Sequence, residues 1–196
     1  MPIDAKTVAS LREMTGAGMM DAKKALEETG GDLTAAMEVL KKKGLMKAAS
    51  KSDRDTKEGR VHAYMHSNCK LGAMVEVLCE TDFVSRNEAF HALCNDIAMH
   101  VSAADPLYVK REDVPADLVE KQQKMFADEM AEQAKPAEIV AKIVEGKMNK
   151  WYSEVVLLEQ PFVKDDEKTV GEMLAGKIAT IGENMQIARF ARFIIA

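Results

Sequence analysis

The sequence is short of several things, and each shortage excludes a class of protein. No stretch approaches the roughly 18 consecutive apolar residues of a membrane-spanning helix, so no membrane partner is expected. The N-terminus lacks the charged, apolar, then small-residue layout of a secretory signal, which leaves the cytoplasm as the expected compartment. Only three cysteines occur, Cys69, Cys79 and Cys94, and they form neither a CxxC couplet nor an even framework. Free thiols in a reducing compartment are therefore expected. A basic stripe is missing as well. The first sixty residues carry 12 Lys and Arg against 10 Asp and Glu, and the remainder 15 against 22, within a net charge of −5. Nucleic-acid binding takes most of its affinity from phosphate neutralisation, so direct nucleic-acid contact is not expected. Nor is there a Gly-rich loop to cradle a nucleotide, or a Ser or Cys nucleophile constellation.

What the chain does have is 47% hydrophobic residues over 196 positions, enough for one larger domain and a small module. Residues 5–43 read as three short helices. Val8, Leu11 and Met14 mark one face of the first, Ala22, Ala25 and Leu26 that of the second, and Leu33, Ala36, Met37 and Leu40 that of the third. Gly16 and Gly18, then Gly30-Gly31, separate them; Asp32 suits an N-cap, and Lys41-Lys42-Lys43 before Gly44 suit a helix C-terminus. Residues 1–45 are thus expected to form a three-helix module, 46–59 a polar and partly helical linker, and 60–196 a core.

In the core, Arg60–His66 and Leu71–Glu80 read as an antiparallel hairpin joined at Ser67-Asn68, with Leu71, Ala73, Val75, Val77 and Cys79 sharing a face. Ser85 and Glu88 suggest a capping box that opens a helix whose buried stripe is Phe90, Leu93, Cys94, Ile97, Ala98 and Val101. Thr81–Val84 is left as a connector. A helical hairpin is expected over about 117–149, broken at Lys135-Pro136, with the sparse stripe Leu118, Met125, Phe126 and Met130. In the C-terminal segment, about 160–196, a second capping box at Thr169 and Glu172 opens a short helix, and Met185–Ile195 reads as a last strand. The order is α+β.

Taken residue by residue, the candidate contacts stay open. Phe83 is either a core aromatic at a strand–helix junction or an outward one, and Asp82 a turn residue or a contact. Thr15–Met20 is either a Gly-rich turn with two core methionines or a surface. His62 and His66 share a strand face and Cys69 follows, but no fourth ligand pairs with them, so no metal site is expected.

Three segments narrow these readings: Leu11-Arg12-Glu13-Met14-Thr15-Gly16-Ala17-Gly18-Met19-Met20-Asp21-Ala22-Lys23-Lys24-Ala25-Leu26, then Glu80-Thr81-Asp82-Phe83-Val84, then Gln160-Pro161-Phe162-Val163 with Ile181-Gly182-Glu183-Asn184 downstream. In this order and spacing the chain resembles the elongation factor Ts family, in its short form. The resemblance implies a factor, not an enzyme and without cofactor, that binds the GDP form of elongation factor Tu and expels the nucleotide. It implies a ubiquitin-associated-like N-terminal module docking through Thr15, Gly16, Gly18, Met19, Met20 and Asp21. It implies that Asp82 and Phe83, flanked by Thr81 and Val84, intrude near the partner's magnesium and phosphate site. Longer relatives carry two related core halves; here Tyr64-Met65-His66 with Gly72-Ala73-Met74-Val75 resembles the second and Glu80–Val84 the first, which makes His66 a contact on a second surface. Since one strand pair with exposed edges replaces two halves, a homodimer through the core is expected.

Overall fold

A computed structural model describes residues 3–131 and 136–195. Helices α1 (Ala5–Thr15), α2 (Met19–Glu28) and α3 (Leu33–Ala49) come first. The Asp4 side chain caps α1, and Gly16 ends it at φ 67°, donating its N–H to Arg12 O at 2.8 Å; a residue with Cβ would be strained there. Asp32 caps α3 by accepting from Thr34 N (2.9 Å) and Ala35 N (3.1 Å). Val8, Leu11, Ala22, Ala25, Leu26, Ala36 and Leu40 form one buried cluster, with Met37 packed against it. Two expectations fail here. Met14 is exposed rather than part of the stripe. Helix α3 does not stop at Lys41–Lys43 but runs through Gly44 to Ala49, because Ala48 is buried and Lys47 pairs with Asp21 at 2.7 Å. A glycine inside a helix costs only about 1 kcal/mol, which such contacts offset.

Strands β1 (Glu58–Met65), β2 (Leu71–Cys79) and β5 (Met185–Ile194) form a sheet in the order β1-β2-β5. The loop between β1 and β2 is short and His66 N donates to Leu71 O at 2.8 Å, so the pair is antiparallel. The turn is longer than Ser67-Asn68: it spans His66–Lys70, with Asn68 Oδ1 accepting from Lys70 N at 3.0 Å and Cys69 at φ 55°. Ala73, Val75, Val77 and Cys79 are buried, as the alternation requires.

A single-turn helix α4 (Asp82–Ser85) occupies the expected connector, and α5 (Glu88–Ala104) follows. The Ser85–Glu88 box is replaced. Ser85 lies inside α4 with its hydroxyl donating to Asp82 O at 2.9 Å, and Asn87 Oδ1 takes the Ala89 N–H at 2.8 Å. The stripe of α5 holds in full: Phe90, Leu93, Cys94, Ile97, Ala98 and Val101 have no solvent exposure. Burial pushes the Cys79 thiol up to about 11 and that of Cys94 to about 12, so neither is a thiolate at neutral pH.

Helices α6 (Ala116–Ala131) and α7 (Ala137–Val155) pack on each other around Met130, Val144 and Met148, with Phe126 and Tyr152 partly buried against them. Met125 is exposed. The expected end of the first helix at Ala134 and the break at Lys135 lie outside the described residues. The second helix runs past Asn149 because Trp151 and Tyr152 join the same cluster. Strands β3 (Pro161–Phe162) and β4 (Asp165–Thr169), an antiparallel pair that the sequence did not suggest, precede α8 (Val170–Ile181).

The chain divides into two compact units. One takes in the chain as far as Val61 with Glu76–Cys94 and Glu172–Gln186; the other takes in His62–Val75, Asn95–Gly171 and the chain from Ile187 onward. In the first, α3 is tied to α8 by Lys41 and Glu172 at 2.9 Å. In the second, Gln160 is almost fully buried and its side-chain amide donates to Ala104 O (3.2 Å) and Glu154 O (2.8 Å), carbonyls at the ends of α5 and α7 that lack helical partners. Among the described residues no helix is long and apolar enough to cross a membrane.

Candidate functional site

Thr81 closes the β2 end and opens α4: its backbone is extended (φ −127°, ψ 157°) and its hydroxyl accepts from Val84 N at 3.4 Å. A four-residue helix has almost no stability of its own, and none of its residues is buried. Phe83, on this turn, is 83% exposed, so the outward reading of the ring holds and the core reading does not. Asp82 pairs with Arg86 one turn on at 3.1 Å, both side chains in solvent.

The turn is held from below. Glu183, in the loop between α8 and β5, accepts from Thr81 Oγ1 at 2.6 Å and from Thr81 N at 3.1 Å. Beside it, Asn184 N donates to Glu80 Oε1 at 2.5 Å, and the Asn184 side chain, nearly buried, donates to Ser52 O (3.3 Å) and Arg54 O (2.9 Å). Arg54 also reaches Glu80, at 3.4 Å, and Lys51 donates to Gly182 O. On the other side His91 Nε2 lies 3.0 Å from Ser85 O. Glu80–Val84 and Ile181–Asn184, about a hundred residues apart, are thus one constellation within one unit. Sequence reasoning singled out both segments but assigned no role to Glu80, Glu183 or Asn184. Their signal was Glu80-Thr81 in one segment and Gly182-Glu183-Asn184 in the other, a pairing that only tertiary contact makes legible.

The turn between α1 and α2 belongs to the same unit. Thr15 Oγ1 donates to Leu11 O at 2.6 Å and accepts from Ala17 N at 3.3 Å, and Gly18 takes the N-cap position of α2. Met19 and Met20 are 48% and 63% exposed, so they are surface side chains rather than core methionines. Asp21 bonds to Lys47 Nζ at 2.7 Å, and that hydrogen bond holds its carboxyl below the usual range despite some desolvation.

His66 belongs to the second unit, exposed, with Nδ1 3.2 Å from Tyr64 Oη. His62 Nε2 lies 3.3 Å from Asn95 Oδ1. Among the described residues no group of three His, Cys, Asp or Glu side chains is arranged to hold a metal ion.

Fold and site together define an α+β protein with three N-terminal helices around a buried cluster and an exposed aromatic ring on a turn held by a hydrogen-bonded brace. A family model described as elongation factor TS matches residues 4–177. Elongation factor Ts of Geobacter sulfurreducens is 52% identical over 195 residues, covering 100% of this chain and 90% of that protein. Its counterpart in Anaeromyxobacter dehalogenans is 54% identical over 193 residues, 98% of this chain and 88% of that one. For Thermosipho melanesiensis the figures are 50% over 193 residues and 98% of both chains. The chain belongs to the elongation factor Ts family, proteins of translation elongation.

Proposed function

We propose that this chain is a guanine-nucleotide exchange factor that binds elongation factor Tu in its GDP form and promotes release of the nucleotide so that GTP can rebind. The observation that carries the reading is Phe83, 83% exposed on a turn that is itself braced by a carboxylate. An apolar ring presented in this way gains roughly 1.5–3 kcal/mol when a partner buries it, and the brace spares it much of the ordering cost of docking.

Exchange needs no general acid, base or cofactor, only tighter binding to the nucleotide-free partner than to the nucleotide-bound one. A release step faster by about ten-thousand-fold corresponds to about 5.5 kcal/mol. Phe83 would enter a slot between two helices of the partner, and Asp82 would bring charge and acceptor oxygens to the partner's magnesium site. Asp82 is available for this, because its exposed pair with Arg86 is worth at most about 1 kcal/mol. Thr15–Asp21, with the exposed thioethers of Met19 and Met20, would supply docking on the partner's GTP-binding domain, and His66 a contact from the second unit.

Stopped-flow release of fluorescent GDP from elongation factor Tu tests this, with wild type, Phe83→Ala, Asp82→Ala and Asp82→Asn each checked for unchanged folding. Phe83→Ala and Asp82→Ala are each expected to slow release at least about tenfold, about 1.4 kcal/mol, and Asp82→Asn to fall between Asp82→Ala and wild type. Wild-type rates for both alanine variants would sink the mechanism.

A further inference from the structure

Helix α4 cannot set its own direction. It is one turn long and buries none of its residues, yet the ring it carries must meet a partner at a defined angle. Glu183 meets that requirement. A carboxylate has two oxygens and only accepts, and here each oxygen takes one donor of Thr81: the hydroxyl at 2.6 Å and the backbone N–H at 3.1 Å. Two such charge-assisted bonds fix both position and rotation of the residue they hold. With its proton committed to Glu183, the Thr81 hydroxyl keeps a lone pair for the N–H of Val84, the third residue of α4, at 3.4 Å.

Glu183 is itself held from both sides. Gly182 turns the chain at φ +94° and its carbonyl accepts from Lys51. Asn184 is bonded through its backbone to Glu80 and through its side chain to Ser52 and Arg54. Carboxylate, cap and ring thus form a chain of support from fixed backbone to exposed tip.

We propose that Glu183 is a positioning residue for nucleotide exchange, setting through Thr81 the angle at which α4 presents Phe83 and Asp82 to a GTP-binding partner. This rests on the reading of Phe83 as the exchange contact. The role is one of shape rather than of charge. A glutamine could accept from the Thr81 N–H and donate to Thr81 Oγ1, whereas an aspartate, one methylene shorter, cannot reach both groups from the same backbone.

The test is GDP release from elongation factor Tu over a range of concentrations of the full-length chain, so that the maximal rate and the half-saturating concentration are read separately. Glu183→Ala is expected to lower the maximal rate by about tenfold or more while moving the half-saturating concentration by less than about threefold, since misplacement of a reacting contact by about 1 Å can cost two orders of magnitude. Glu183→Gln should recover to within about threefold of wild type and Glu183→Asp should not. In the Glu183→Ala background Phe83→Ala should cost less than it does alone, because a misdirected ring has less to lose. Should Glu183→Ala fail to fold, Thr81→Val, which keeps the branched shape and loses the hydroxyl, must show the same lowered maximal rate. Recovery by Asp and not by Gln, additive losses with Phe83→Ala, or a change confined to the half-saturating concentration would each overturn the proposal. If Phe83→Ala is slow while Glu183→Ala, Glu183→Asp and Thr81→Val all match wild type, only this inference fails. If Phe83→Ala itself matches wild type, the reading of the site on which it rests fails first.

Discussion

Single exposed apolar side chains are common on protein surfaces, so the exposure of Phe83 says little by itself. What distinguishes the residue is the hydrogen-bonded support of its turn, from Glu183 to Thr81 to Val84. Elsewhere single residues matter through the space around them. A Cβ on Gly59 would lie 2.3 Å from Val77 O and 2.8 Å from Leu78 Cα, backbone atoms of the neighbouring strand that cannot move aside cheaply. Gly59→Ala should therefore lower stability by about 2 kcal/mol or more. At Gly146, inside α7, an added methyl meets nothing within 4 Å, and Gly146→Ala should raise stability by up to about 1 kcal/mol through helix propensity. A urea midpoint that rises for Gly59→Ala contradicts the first local account, and one that falls for Gly146→Ala contradicts the second.

At the scale of elements, Gln160-Pro161-Phe162-Val163 is structural. The buried His100 on α5 donates from Nε2 to Gln160 Oε1 at 2.9 Å and accepts the Val163 N–H at Nδ1, 3.3 Å away. Only the neutral ring makes both bonds at once, because accepting at Nδ1 needs a lone pair there. A second proton would set two donors against each other at Nδ1, and burial, the larger influence, holds the His100 pKa below its ordinary 6.5. The unfolded chain therefore binds a proton more readily than the folded one between these values. The contribution of His100 to stability is complete above about pH 6.5 and is lost as the pH falls toward the lowered folded value. Urea midpoints at pH 7.5 and 5.5 should fall more in wild type than in His100→Gln, which has no proton to gain. Equal slopes would show that another group carries the pH dependence. The stripe of α5 was legible from its 3.6-residue period, but the capping of α4 and α5 was not. Ser-x-x-Glu at 85–88 has the right spacing, yet Thr81 and Asn87 cap instead, because the bond from Thr81 to Glu183 places a helical turn over Ser85.

For the whole molecule, the three N-terminal helices have a core of their own and are joined to α8 by Lys41–Glu172, while Lys51, Ser52 and Arg54 contact the loop that carries Glu183 and Asn184. If α1–α3 serve docking and α4 serves exchange, the two contributions separate kinetically. Deleting residues 1–50, which removes α3 entire and leaves Lys51 in place, should raise the concentration needed for half-maximal GDP release by about tenfold or more and leave the maximal rate within about threefold. A truncated chain that associates with elongation factor Tu as tightly as the full chain would end the docking assignment.

Read alone, the sequence determined the α+β class, the stripes of α2, α5 and β2, and the three segments that place the chain in its family. Each depends on periodicity or on residue identity at short range, and both survive in a linear string. Tertiary structure decided which of those segments touch. Thr81 and Glu183 are bonded across 102 positions and His100 and Gln160 across 60, and no local preference encodes such a pairing. It decided too that Phe83, Met19 and Met20 face solvent, since exposure depends on what the rest of the chain leaves uncovered. It also carried α3 past its lysines to Ala49, because the side chains that extend it, Ala48 and Lys47, find burial and a partner only in the folded chain.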